Sequence, residues 1–293
     1  MQSCQPIIFG NSRFLESLAE DLGLEVAFDR ILIEDVGEYR YPPAWGTISR
    51  SAGDFALRCL TGACRSCRNG ASPVLITAPI HKGAAVAAGM KFPGQTEFVS
   101  SFFPGCESAM AFFSDRFHLL LVTVHLALRE VFDCLSKDLI VRKGRLFFKS
   151  LRSLGLKRPR VAVCGLNPHA SESGLFGTEE AEFIEPAVQQ LISEFGLDSF
   201  AGPLAADTVF RLALNGRYDG VVALYHDQGL APLKVVAFDS AVNATLGLPV
   251  VRTSPAHGTA FDLAGLGKAD PGSMIAAIRW GIRLTDLVKT SGV

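Results

Sequence analysis

The sequence predicts an α/β protein with a largely parallel sheet. Two observations carry this. Short runs rich in Val, Ile and Leu lack a polar face, as strands buried on both sides do, and longer segments of helical period lie between them. In chain order, residues 14–23 and 51–68 read as helices. The run 73–79, PVLITAP, reads as a buried strand, and so does 118–124, HLLLVTV. Residues 130–136 are a helix, 160–165 (RVAVCG) a strand and 179–195 a helix. Residues 219–225 (DGVVALY) and 249–253 (PVVRT) are strands, and 273–288 form a closing helix. The stretch 196–203 and the loops near Pro93 and Pro104 are rich in Gly or Pro and suit crossings between lobes. The expected division is 1–92 plus 219–293 for one lobe and 93–218 for a second lobe carrying the dimer contacts.

A chain of 293 residues has ample material for a buried core, and 48% hydrophobic against 19% charged residues excludes a disordered chain. Net charge is −1, from 28 basic and 29 acidic side chains, so no broad field draws the protein to nucleic acid or anionic lipid. Any bound anion must be held by a few placed residues. The start, MQSCQPIIFG, lacks the basic and apolar regions of a signal peptide, and no run reaches the roughly 18 apolar residues of a spanning helix. Seven scattered cysteines, an odd number, argue for a reducing compartment, and a cytoplasmic enzyme is expected. Cys59, Cys64 and Cys67 have a spacing that can hold an iron–sulfur cluster, but no fourth cysteine lies close by, and the favoured reading is small apolar residues on a helix.

The six histidines are the most informative feature. His81, His125, His169, His226 and His257 each follow the carboxyl end of an apolar run, where the ligand crevice of an open α/β sheet lies. His118 opens its strand and is expected to be structural. Any one of the five can be a loop histidine bonded to backbone. Three neutral imidazoles converging with an open position would make a catalytic divalent-metal site, with Asp227 available to orient one of them. No HExxH occurs, so spacings such as 125, 169 and 226 require the fold to assemble any such site.

Seven blocks then make the chain recognisable: TAPIHKG (77–83), FPGQTEF (92–98), TVHLALREV (123–131), CGLNPHASESGLFGTEE (164–180), GPLAADTVF (202–210), YHDQGLAPLK (225–234) and AVNATLGLPVVRTSPAHGTAFDLAGLGKAD (241–270). In order and content they resemble the 4-hydroxythreonine-4-phosphate dehydrogenase family of pyridoxal phosphate biosynthesis. The resemblance implies three metal-binding histidines, His125, His169 and His226, holding Zn, Mg, Mn or Co. It implies substrate contacts at Thr96, Lys234, Asn243 and Arg252, with Gln95 beside them and Asp207 near the site. Lys and Arg suit a phosphate or carboxylate, Asn and Thr set orientation, and Lys234 and Asp207 are the candidate general bases.

The segment 257–271 is similar to the adenosine-side loop of isocitrate and isopropylmalate dehydrogenases. That likeness implies their two-lobed fold, an NAD or NADP site without a G-x-G-x-x-G turn, and a homodimer whose active site takes metal histidines from both subunits. His257, Gly258, Thr259, Ala260, Asp262 and Asp270 are the expected cofactor contacts, and His81 flanks the site.

Two departures from the family pattern stand out. Gln95 occupies a position that is usually histidine; it can hydrogen-bond but carries no proton or charge at neutral pH. The family also opens with a strand, a glycine-rich turn and a helix, whereas PIIFGNSRFLESL resembles its second strand and helix. A reduced cofactor cleft with poor turnover, improved by an upstream segment, is therefore expected. The implied reaction is metal-dependent oxidation of 4-phosphooxy-L-threonine by NAD(P)+ to a β-keto acid, which decarboxylates to 3-amino-2-oxopropyl phosphate. Alternatives are a dehydrogenase of a threonate- or erythronate-type 4-phosphate or of a dihydrodiol, a three-histidine metal hydrolase, and a catalytically impaired binding protein.

Overall fold

The computed structural model describes residues 4–38, 45–238 and 240–290. Its first elements are β1 (Ile7–Gly10), α1 (Ser12–Asp21) and β2 (Leu32–Asp35), and the two strands pair in parallel as a small separate sheet. There follow α2 (Arg50–Arg68), β3 (Val74–Ile76), α3 (Lys82–Ala87), α4 (Gln95–Ser100), β4 (Ala109–Phe113) and β5 (His118–Leu121). Next come α5 (Leu128–Cys134), α6 (Lys137–Ser153), β6 (Val161–Cys164), α7 (Glu185–Phe195), β7 (Phe200–Leu204) and α8 (Ala206–Leu214). The series closes with β8 (Gly220–Ala223), α9 (His226–Ala237), β9 (Val242–Leu246), β10 (Val251–Pro255) and α10 (Gly272–Thr290).

Eight strands form the main sheet in the order β3-β10-β9-β4-β5-β8-β6-β7. The β3–β10, β5–β8, β8–β6 and β6–β7 pairs are parallel, as expected for strands joined through helices. The sheet is nevertheless mixed, because β9 runs against both β10 and β4, and β4 against β5. Short connections explain the reversals. Ser114 folds the β4–β5 turn by accepting from the Arg116 and Phe117 amides while donating to the Phe117 carbonyl. Gly247 opens the β9–β10 turn with φ 85°, where a Cβ would lie 2.0 Å from the Glu107 carbonyl oxygen.

Alternation along β5 shows how the layers form. Leu120 packs with Phe147, Leu151, Ile184 and Leu191 on the α6–α7 side, while Leu119 and Leu121 pack with Val209 and Leu233 under α8 and α9. A third cluster joins Leu60, Cys64 and Cys67 of α2 to Leu75, Val99 and Phe103. Cys64 and Cys67 thus serve as small apolar residues, and burial pushes the Cys64 thiol up to about 12. Among the described residues no helix is long and apolar enough to cross a membrane.

His118 begins β5, at the end of the strand away from the crevice, with its ring against Phe113 (centroids 5.1 Å) and edge-on to Trp280 (5.6 Å). Burial, then the Arg283 guanidinium, pull its pKa down to about 4. In the unfolded chain it titrates near 6.5, so the unfolded state takes up the proton first as pH falls. This contribution is whole above about pH 6.5 and lost towards about pH 4, at an expected cost of about 2–3 kcal/mol. Urea midpoints across that range should show the slope in the native chain and its reduction in His118→Phe; identical profiles would contradict the assignment.

Candidate active site

Strand pairing brings two of the predicted metal histidines together. Beyond β5 and β8 the register continues: the Thr123 amide and hydroxyl both donate to the Leu224 carbonyl, at 3.2 and 2.7 Å. His125 and His226, each two residues further on, then stand with ring centroids 5.7 Å apart. Gln228 locks this exit. Its Oε1 accepts from the Leu224 amide and its Nε2 donates to the Gly165 carbonyl, both at 2.7 Å, tying β8 to β6. His226 Nδ1 lies 2.6 Å from Asp227 Oδ1, which leaves Nε2 as the ring's free nitrogen. Burial first, and then His226 and Lys82, hold the His125 pKa below its ordinary value against the opposing pull of Glu97. It is therefore neutral, as a metal ligand must be.

His169 is placed differently. After β6 the chain enters a turn in which His169, Ala170, Ser171, Glu172 and Ser173 all have positive φ, between 47° and 65°. Left-handed backbone in five consecutive non-glycine residues is costly and needs support. Glu180, 3% exposed, supplies it. Its Oε1 accepts from the Leu166 and Asn167 amides, each at 2.7 Å, and its Oε2 accepts from Asn167 Nδ2 at 2.9 Å. Gly165 allows the approach, since a Cβ there would lie 2.8 Å from Ala170. The turn leaves His169 exposed, 6.3 Å from the Phe176 ring. Asp207 is also exposed, on the first turn of α8, which packs against this same segment. Among the described residues no three His, Cys, Asp or Glu side chains of one chain form a metal-binding group.

Of the residues expected to meet substrate, Gln95 and Thr96 gather around Arg252, 2% exposed on β10. Its Nη1 donates to Thr96 and Thr245 Oγ1, each at 3.3 Å, and its Nη2 to Thr77 Oγ1 and Gln95 Oε1, each at 2.9 Å. Burial pulls its pKa down to about 10, opposed by Cys64 and Glu97, so it stays charged at neutral pH. Arg252 Nε, Asn243 Oδ1 and Glu97 Oε2 are buried without partners. Unpaired polar atoms of this kind are expensive unless a ligand meets them.

Lys234 lies apart from the Arg252 cradle, in a groove of about 320 Å³ lined also by His257, Gly258, Ala260, Asp270 and Ser273. The expected cofactor loop therefore shapes a cavity. His257 Nδ1 is 2.8 Å from the Gly258 carbonyl, Ala260 is left-handed, and Asp270 accepts from the Gly272 amide to start α10. Asp262 lies exposed in the short turn Phe261–Leu263, and Thr259 is half-buried just before it. His81 caps α3 and stacks on Phe261, with centroids 4.6 Å apart.

Several participants were not singled out from sequence: Thr77, Glu97 and Thr245 around Arg252, Gln228 and Glu180 behind the histidines, and Ser273, whose buried hydroxyl has no partner in the groove. All of these except Ser273 lie inside the recognisable blocks, which is the signal that marks them.

Residues 2–281 match the sequence profile of the family described as pyridoxal phosphate biosynthetic protein PdxA. A 4-hydroxythreonine-4-phosphate dehydrogenase of Beijerinckia indica is 40% identical over 291 residues, covering 95% of this chain and 86% of its own. A D-threonate 4-phosphate dehydrogenase of Pectobacterium atrosepticum is 41% identical, covering 82% and 73%. The crystal structure of a Klebsiella pneumoniae 4-hydroxythreonine-4-phosphate dehydrogenase superposes with a TM-score of 0.82 at 34% identity, over 95% of this chain and 88% of that one. A terephthalate 1,2-cis-dihydrodiol dehydrogenase of Burkholderia xenovorans gives 0.67 at 27% identity, over 94% and 89%. An isocitrate dehydrogenase of Methylococcus capsulatus gives 0.53 at 14%, over 99% and 86%, a likeness of fold alone.

Proposed function

Since the chain belongs to the PdxA family and is a 4-hydroxythreonine-4-phosphate dehydrogenase-like oxidoreductase, we propose that it oxidises 4-phosphooxy-L-threonine with NAD or NADP. The β-keto acid formed then loses carbon dioxide to give 3-amino-2-oxopropyl phosphate. The observation that carries this reading is the buried, charged Arg252, held only by neutral hydrogen-bond acceptors and with Nε unpartnered. We read it as an anion site, and Glu97 acts electrostatically on both Arg252 and His125.

A divalent metal held by His125, His226 and His169 of a second copy would polarise the reacting hydroxyl, and the nicotinamide would accept the hydride from the carbon that bears that hydroxyl. The donor set fits: His125 is neutral, and Asp227 orients His226. Arg252 fixes an anionic end of the substrate, Thr96 and Asn243 set its orientation, and Lys234 or Asp207 takes the hydroxyl proton. The groove beside Lys234, lined by His257, Gly258, Ala260 and Asp270, would hold the nicotinamide cofactor. The protein acts as a homodimer. Exposed Leu126, Leu128 and Phe132 beside His125, and Leu175 and Phe176 beside His169, offer the apolar surface that a second copy would cover.

The test is reduction of nicotinamide by purified protein given 4-phosphooxy-L-threonine, D-threonate 4-phosphate, D-erythronate 4-phosphate and an aromatic cis-dihydrodiol. Turnover of none of them would sink the proposal. Gln95 keeps the threonate ester as the second reading, because an amide oxygen accepts from Arg252 at the position where the family pattern has histidine. Arg252→Lys keeps the charge and loses the planar fork, and kcat/KM should fall by about 1–3 kcal/mol. A kinetically silent Arg252→Lys would remove that residue from the site.

A further inference from the structure

We propose that Gln95 is a positioning residue, whose side-chain amide aims the Arg252 guanidinium at an anionic ligand while leaving its charge unneutralised. The inference rests on the reading of Arg252 as the anion site. Gln95 is the first residue of α4, and its hydrogen bonds are largely spent inside the protein. Oε1 accepts from Arg252 Nη2 at 2.9 Å and from Thr77 Oγ1 at 3.2 Å, which fills both lone pairs. Nε2 donates to the Ala78 carbonyl at 3.1 Å. The network fixes the amide's orientation. A flipped amide would set NH2 against the Arg252 donors and an oxygen against the Ala78 carbonyl.

Thr77 closes the ring. Its hydroxyl accepts from Arg252 Nη2 at 2.9 Å and donates to Gln95 Oε1 at 3.2 Å. Two edges of the guanidinium are thereby pinned by uncharged oxygens of Thr77, Gln95, Thr96 and Thr245. No carboxylate lies within ion-pair distance of Arg252 among the described residues. Glu97 and Cys64 act on it only through space, and Glu97 Oε2 is itself unpartnered. The cradle thus orients a buried cation without cancelling it. A glutamate at position 95 would supply the same acceptor in the same place and cancel the charge, and the test uses that difference.

Thermal unfolding of the full chain without ligand, its affinity for inorganic phosphate, and KM against kcat for 4-phosphooxy-L-threonine should be measured for the native protein, Arg252→Lys, Gln95→Leu and Gln95→Glu. Gln95→Leu deprives a buried donor of its acceptor, so Tm should fall by about 2–6 °C. Phosphate affinity should weaken roughly 10-fold, with the kinetic loss falling on KM more than on kcat. Gln95→Glu loses the donor to the Ala78 carbonyl but keeps the acceptor for Arg252, so its Tm should lie above that of Gln95→Leu, yet it should bind phosphate at least about 10-fold more weakly than the native protein. Stability and anion binding would then separate, which a merely structural residue does not produce.

An unchanged Tm with weakened binding in Gln95→Leu would mean direct contact with the ligand and overturn the inference, as would native phosphate binding by Gln95→Glu. If Arg252→Lys is impaired and Gln95→Leu is not, only the inference falls. If Arg252→Lys binds phosphate as the native protein does, the anion-site reading falls with it.

Discussion

His226→Ala is expected to remove most bound divalent metal and to lower turnover by more than about 100-fold. The reason is geometric. The parallel β5–β8 register, prolonged by Thr123 on Leu224, delivers His125 and His226 as a pair, and a three-ligand site with an open position has no ligand to spare. Removing His226 also strands Asp227, whose carboxylate lies 2.6 Å from its ring. Fold and stability should change little, because His226 is only half-buried and Gln228, which clamps the strand ends, is untouched. Metal content after dialysis, beside circular dichroism and turnover, checks this. Native metal content with native turnover would overturn the assignment of His226.

Glu180→Leu is expected to destabilise the protein by about 3–5 kcal/mol and to abolish metal-dependent turnover. The leucine fills similar space but leaves the Leu166 and Asn167 amides buried without an acceptor, at about 1–3 kcal/mol each. The turn those amides launch is already strained at His169–Ser173, so loss of its anchor should release His169 from its position. Glu180→Gln keeps one acceptor oxygen and turns an amide group towards Asn167 Nδ2, and should cost about 1–2 kcal/mol. Urea denaturation gives both values. A loss below about 1 kcal/mol in Glu180→Leu would show that the turn is held by something else.

How much was legible beforehand follows from how local each signal is. The runs around 75, 120, 162, 222 and 252 became β3, β5, β6, β8 and β10 because continuous apolarity marks a strand buried on both faces. β2, β4, β7 and β9 escaped that rule, and β7 (Phe200–Leu204) lies largely within the stretch 196–203 that was read as a crossing between lobes. β9 carries Asn243 and Thr245 on one face, so it reads as a polar loop until Arg252 is seen opposite Thr245. β4 is wholly buried but joins β5 through a four-residue turn, a reversal that the alternation of strands and helices hides. α6 has a Ser136 cap and an apolar stripe through Ile140, Phe147 and Leu151, a signal that a strand-centred reading passes over. α9 carries Pro232 within it, which masks its helical character.

At the site, the position of His125, His226 and His257 beyond strand ends could be read from sequence, because the end of an apolar run is a local fact. The Arg252 cradle could not be read so directly. Its acceptors lie on β9, on α4 and in the loop after β3, and only the sheet order brings them together. The left-handed turn at His169 is equally silent, since PHASES contains no glycine to announce positive φ.

The order of strands in the sheet also sets a timetable for making the protein. β3 lies at the sheet edge, and its one partner there is β10. Thr77, just past β3, meets Arg252 across 175 residues of chain. At about 5–20 residues per second, synthesis of that interval takes roughly 10–35 s. Throughout it, β3 has no strand beside it, and the Thr77 and Gln95 oxygens wait for a cation not yet made. The helices α2 and α3 pack on each other early and shelter this edge locally. The sheet is complete only when β10 docks, so the Arg252 cradle is among the last features of the nascent protein to form.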